Sequence, residues 1–142
     1  MGLTVVDASV AVKWVIAEPG SSEALSLLTE AGQLLAPDLI CMEVAGAIAR
    51  RVRNERFSVE DARAAHAKWR RLLDHDAIML TPTRELIDRA FEIAIDIRHT
   101  IADCVYLASA ETLDATVLTA DDTMAKRGRL FFDRIVMLRQ AA

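Results

Sequence analysis

Little in this 142-residue chain points to a cross-linked or membrane-anchored protein. Cysteine is scarce: Cys41 and Cys104 lie inside apolar stretches without CxxC spacing. They read as small core residues carrying reduced thiols, which argues against a disulfide framework or a cysteine zinc site. No apolar run approaches the roughly 18 residues that a membrane span needs, although 53% of the residues are hydrophobic. That surplus leaves apolar surface to spare for a partner. His66, His75 and His99 fall at solvated helix positions or helix ends without HxxxH spacing, so no histidine metal site or catalytic histidine is expected. A basic excess is also missing. The net charge is −4, from 17 Lys and Arg against 21 Asp and Glu, which argues against a wide basic grip on nucleic acid. The opening segment carries no basic leader before its first apolar run, and Asp7 interrupts that run. A secretory signal is therefore not expected, and a cytoplasmic location is.

What is present fits one domain over residues 1–142, a length that supports a single buried core. Leu3 to Val6 reads as a buried strand ending at Asp7. A helix follows over Ser9 to Ile16 with Lys13 outward, broken by Glu18-Pro19-Gly20. A second helix, capped by Ser21 or Ser22, ends at Gly32. Leu34 to Ala36 is a second strand, and Pro37-Asp38 opens a helix from about Leu39 to Arg53 with Ile40, Val44, Ala47 and Ile48 on its apolar face. Ser58 with Asp61 resembles a capping box for a helix to about Leu73, Ala77 to Leu80 is a third strand, and Thr83 starts the next helix. Thr100 caps a helix over Ile101 to about Ala110, Thr116 to Leu118 is a strand, Asp121 to Lys126 a short helix, and Ile135 to Leu138 a last strand. Five strands alternating with helices imply an α/β fold with a mostly parallel sheet covered on both faces. No linker, repeat or low-complexity segment interrupts the pattern.

The chemistry lies in the acids. Asp7 follows the first strand and Asp121 follows Thr116 to Leu118 within three residues, so both belong to the carboxyl edge of the sheet, where open α/β folds bind ligands. Glu43 and Asp103 fall near helix starts that can face the same edge. Asp7, Glu43 and Asp103 are set in apolar runs, VVDASV, CMEVAGAIA and IADCVYLA, which hold no Lys or Arg to neutralise them. Four carboxylates brought together repel and hold protons unless a divalent cation lies between them, and oxygen ligands favour Mg²⁺ or Mn²⁺. Such an ion activates water and stabilises a leaving oxygen in phosphodiester hydrolysis. Ser9 and Thr119, each two residues from an aspartate, are candidates to support the site.

In order and spacing, VVDASVAVKW, APDLICMEVAGAI, TIADCVYLASA and VLTADDTMAK resemble the four acidic motifs of PIN-domain proteins, particularly VapC-like toxins of type II toxin–antitoxin pairs. The resemblance covers nearly the whole chain. It implies a three-layer α/β/α sandwich with a five-stranded parallel sheet in order 3-2-1-4-5. It carries the metal-binding and catalytic acids onto Asp7, Glu43, Asp103 and Asp121, with Ser9 and Thr119 as supporting hydroxyls. It further implies a Mg²⁺- or Mn²⁺-dependent endoribonuclease cutting structured RNA such as tRNA or rRNA. A homodimer and a VapB-like antitoxin, laid along an apolar groove with a basic side chain toward the acids, are the implied partners. Asp121 keeps the Thr-x-Asp spacing, which leaves Asp122 as a first-turn acid favoured by the helix dipole. Ala102 stands before the third acid where many relatives carry an aromatic residue.

Two other classes fit parts of the sequence. An aspartate-based phosphoacceptor or phosphatase domain also places an acid after strand one, but Ser9 stands where a second aspartate belongs. A non-catalytic module on the PIN scaffold would keep the fold without the activity. Trp14 and Trp69, at apolar helix spacing, read as core or interface residues rather than base-stacking platforms. The arginines at 50, 51, 53 and 56, and the basic group Lys126, Arg127 and Arg129, read as solvated helix ends with phosphate contact as the alternative.

Overall fold

The computed structural model describes residues 2–30 and 32–139. Leu3–Val6 forms β1, and α1 (Ala8–Val15) leaves it at once because Asp7, in extended backbone, ends the strand and starts the helix. After α2 (Ser21–Ser26) come β2 (Gln33–Pro37), α3 (Leu39–Arg53), α4 (Val59–Asp74) and β3 (Met79–Thr81). Then follow α5 (Thr83–Ile97), α6 (Ile101–Leu113), β4 (Thr116–Thr119), α7 (Asp122–Gly128) and β5 (Ile135–Met137). The five strands make one parallel sheet in order β3-β2-β1-β4-β5, the order that the family resemblance implies.

The central position of β1 explains its composition. With neighbours on both sides and helices on both faces it has no polar edge, and Val5 and Val6 are fully buried. The same holds for α6, whose residues Cys104 to Ala110 are all buried and, Ser109 apart, carry apolar or aromatic side chains on every side. Three elements instead present stripes: Ile40, Val44 and Ile48 on α3, Ala65 and Trp69 on α4, and Leu86, Ala90, Ile93 and Ile97 on α5. Trp14 and Trp69 are core residues, their indole N–H groups donating to the carbonyls of Ala24 (2.7 Å) and Cys41 (3.4 Å).

Several local expectations are corrected. Gly20, with φ of 92°, is the N-cap of α2, and neither Ser21 nor Ser22 caps it. Ser21 Oγ donates to the carbonyl of Ile16 and accepts from the N–H of Glu18, fastening the turn instead. The helix also ends at Ser26 and passes into turns well before Gly32. Lys13 does not point into solvent: it is only 9% exposed and its ammonium is held by Glu18 (3.1 Å) and the carbonyl of Pro19 (2.7 Å). Ser58 does cap α4, accepting from the N–H of Asp61 at 3.0 Å. Arg127 and Arg129 are not simply solvated, since they donate to the carbonyls of Ile97 and Ile135. Cys41 and Cys104 are free thiols.

Candidate functional site

The strand order reverses at β1: the chain runs outward through β2 and β3, then crosses back to place β4 and β5 on the other side. The carboxyl ends of β1 and β4 therefore flank the switch point, where adjoining crossovers diverge and leave a crevice. Register brings Val6 opposite Leu118, and the N–H of Asp7 donates to the carbonyl of Leu118 at 2.9 Å. Asp7 and Thr119 consequently face each other across the crevice.

Asp7 is 6% exposed. Its Oδ2 accepts hydrogen bonds from Ser9 Oγ (2.7 Å) and Thr119 Oγ1 (2.8 Å). Each hydroxyl is itself tied down, since the N–H of Ala120 donates to Ser9 Oγ (2.9 Å) and that of Asp121 to Thr119 Oγ1 (3.0 Å). Burial raises the Asp7 carboxyl above the usual carboxylate range. The two hydroxyls work against that rise, and the charge of Asp103 adds to it.

Glu43 lies in the second turn of α3, half-buried, where its Oε1 accepts from the phenol of Tyr106 at 2.7 Å. Its carboxyl is raised first by burial and then by the charges of Asp7 and Asp103, while the Tyr106 hydrogen bond lowers it. Tyr106 is fully buried; burial and the neighbouring acids push its phenol far up, so it stays a proton donor. Asp103 stands in the first turn of α6, with its Oδ2 2.6 Å from His99 Nε2. Among the described residues no Lys, Arg or His pairs with Asp7 or Glu43.

Three of the four predicted acids thus lie close enough for their charges to act on one another. Asp121 differs. It is exposed, and its Oδ1 caps α7 by accepting from the N–H groups of Thr123 (2.9 Å) and Met124 (3.4 Å). It joins the cluster through Thr119, which its own N–H contacts. Asp122 falls in the first turn of α7. Among the described residues no three His, Cys, Asp or Glu side chains form a ready-made ion cage. A cation among Asp7, Glu43 and Asp103 would need water to complete its shell.

Sequence reasoning passed over two residues of this site. His99 read as a helix end, yet it sits four residues before Asp103, the spacing at which side chains meet along a helical turn. Tyr106 stands inside the apolar run IADCVYLA with nothing in the sequence to single it out, yet it lies three residues after Asp103 and so on the same side of α6.

Known proteins agree with this architecture. The sequence profile of the PIN domain matches residues 4–130. No curated protein matches the chain. A toxin-antitoxin complex from Klebsiella pneumoniae contains a chain of similar fold, with a TM-score of 0.66 and 13% identity over 97% of this chain and 99% of that one. The crystal structure of PAE2754 from Pyrobaculum aerophilum is also similar, with a TM-score of 0.65 and 17% identity over 96% of this chain and 90% of that one. With nine-tenths of its length matched by one profile and its sheet in the predicted order, the chain belongs to the PIN-domain family.

Proposed function

We propose that the chain is a single-domain endoribonuclease dependent on Mg²⁺ or Mn²⁺, and that it serves as the toxin of a toxin–antitoxin pair. The observation that carries this reading is a buried carboxylate, Asp7, set among two others at the switch point of the sheet without a cationic partner. A cluster so negative favours a divalent cation from solution. When bound, that cation supplies water activation and charge stabilisation for phosphodiester hydrolysis.

The chain's own groups do the positioning. Ser9 and Thr119 fix one oxygen of Asp7, Tyr106 holds Glu43, and His99 holds Asp103, so these acids are arranged before any ligand arrives. Asp121 is the fourth acid in this reading, kept at the rim by its cap. Structured RNA, tRNA or rRNA, is the substrate class, and the cytoplasm the location. Among the described residues no helix is long and apolar enough to cross a membrane.

Apolar surface supports the partners. Between α3 and α4 lies an open groove of about 500 Å³, lined by Ala45, Ile48, Ala49, Val52 and Val59 among others, which suits an antitoxin segment. The Klebsiella pneumoniae chain of similar fold belongs to a toxin-antitoxin complex, in keeping with such a partner. Ile87, Phe91 and Ile95 make an exposed stripe four residues apart on α5, which suits a homodimer. The competing reading, a non-catalytic PIN module, draws on Asp121 being engaged as a cap and on the lack of a ready-made cage.

Purified protein incubated with total RNA separates the two. Cutting should require Mg²⁺ or Mn²⁺, stop with EDTA, and fall at least about a hundredfold in Asp7→Asn. Cutting that survives both treatments, or no cutting of any cellular RNA by folded protein, sinks the nuclease reading. Sedimentation of the same preparation reads the dimer, which a monomer at micromolar concentration contradicts.

A further inference from the structure

Beside the acids lies a second cavity, of about 360 Å³, whose lining is of opposite charge. Ser9 and Ala120 form its inner edge, and these are the residues whose side chain and N–H join the Asp7 network. From there it runs along α3, where Ala47, Arg50 and Asn54 follow Glu43 at intervals of four, seven and eleven residues, all on one face. The two turns from Glu43 to Arg50 span about 10 Å.

Four cations line this cavity: Lys13, Arg50, Arg51 and Arg56, against one carboxylate, Glu18. Glu18 is shared by Lys13 and Arg51, so it holds both in place without cancelling both. The Lys13 ammonium has three donors and uses two, on Glu18 and Pro19. Arg50 and Arg56 are exposed, and among the described residues neither has an acidic partner. Such a group of fixed and free donors, three positive charges in excess, is built for an anion with several acceptor oxygens.

We infer that this cavity binds a backbone phosphate of the nucleic acid strand whose neighbouring phosphodiester faces the acids. The inference rests on the nuclease reading and adds to it the strand's path: along α3, away from Glu43 toward Arg56. The arrangement answers the objection that a chain of net charge −4 repels RNA, because the negative charge at the acids and the positive charge of the cavity are segregated. Strand phosphate is favoured over a protein carboxylate because the cavity shares Ser9 and Ala120 with the Asp7 network and shares no residue with the apolar groove between α3 and α4.

The test uses Asp7→Asn protein, which does not consume the probe, and mixed tRNA as the probe. Binding is followed by anisotropy between about 50 and 200 mM salt, a range over which phosphate contacts weaken steeply. Adding Arg50→Gln and Arg56→Gln should weaken binding at least about tenfold at low salt and flatten the log–log salt slope by about 1 to 2. Lys68→Gln with Arg84→Gln removes the same charge from exposed positions outside the cavity and should leave the slope unchanged. Equal flattening by both pairs, no flattening by the first, or failure of tRNA to bind overturns the inference. So does an unchanged RNA slope accompanied by lost affinity for an acidic partner protein, which gives the cavity to a protein carboxylate. Thermal melting confirms that each variant is folded. The nuclease reading fails separately: protein with Asp7 intact that never cuts, while the cavity pair still alters the slope, leaves the phosphate site standing without the activity.

Discussion

Asp7 concentrates the physical problem of this protein in one side chain. A carboxylate that is 6% exposed has lost most of its hydration, and two hydroxyl hydrogen bonds return only part of it. The result is a carboxyl raised above its value of 3.8 in water, mainly by burial. A carboxyl raised in the fold stabilises the protein below its unfolded value, and that stability is lost as pH rises through the folded value. Above its unfolded value, and without divalent cations, Asp7 therefore costs the fold stability. Asp7→Asn keeps an acceptor for Ser9 and Thr119 and removes the charge, so its melting temperature at pH 7 should exceed the parent's by roughly 2–4 °C, equivalent to about 1 kcal/mol. The gap should close as pH falls below about 4; a variant that melts lower at pH 7 refutes the account of Asp7. The acids themselves were legible in the sequence because unpaired carboxylates in apolar runs are unusual. Tyr106 and His99 were not, because an aromatic in an apolar helix and a histidine at a helix end have ordinary explanations, and only the tertiary fold brings Tyr106 to Glu43.

Among elements, the strands and long helices followed from patterns that local physics sets, such as the β-branched run of β4 and the apolar spacing of α3. Helix ends followed less well, since a cap can be satisfied from elsewhere. Thr83 and Asp38 show why: Thr83 Oγ1 accepts from the N–H of Leu39 (3.0 Å), and Asp38 Oδ1 accepts from the N–H of Thr83 (2.9 Å). The starts of α3 and α5 are thus pinned to one another, which no single-helix rule anticipates. The pairing of α5 with α6 is similar. There Arg89 makes two hydrogen bonds to Glu111 (2.7 and 2.9 Å), and Arg89 holds the Glu111 carboxyl below its usual value. A lowered carboxyl contributes stability above its unfolded value and loses it as pH falls through the folded one. Because both side chains are well exposed, Glu111→Gln should cost no more than about 1 kcal/mol at pH 7 by urea denaturation. The cost should begin to fall below about pH 4 and vanish as pH passes under the lowered folded value. A cost that persists in acid means the pair acts through packing and not through charge.

For the molecule as a whole, topology does what no segment could do alone. Asp7, Glu43 and Asp103 come from the junction of β1 with α1, from α3 and from α6, and they converge because reversing the strand order at β1 opens a crevice there. The order 3-2-1-4-5 was readable only through the family resemblance, since alternation of strands and helices fixes a parallel sheet but not its sequence of neighbours. Charge follows the same division: net composition is acidic, while the acids and the cavity of Lys13, Arg50, Arg51 and Arg56 lie side by side. In the proposed reading the converged acids attract a divalent cation. Titration of Mn²⁺ into the purified protein, with free ion read by electron paramagnetic resonance, tests this. Saturable binding that weakens at least about tenfold in both Asp7→Asn and Asp103→Asn is the predicted result. Folded parent protein that binds no Mn²⁺, or variants that bind it as tightly as the parent, would contradict the claim.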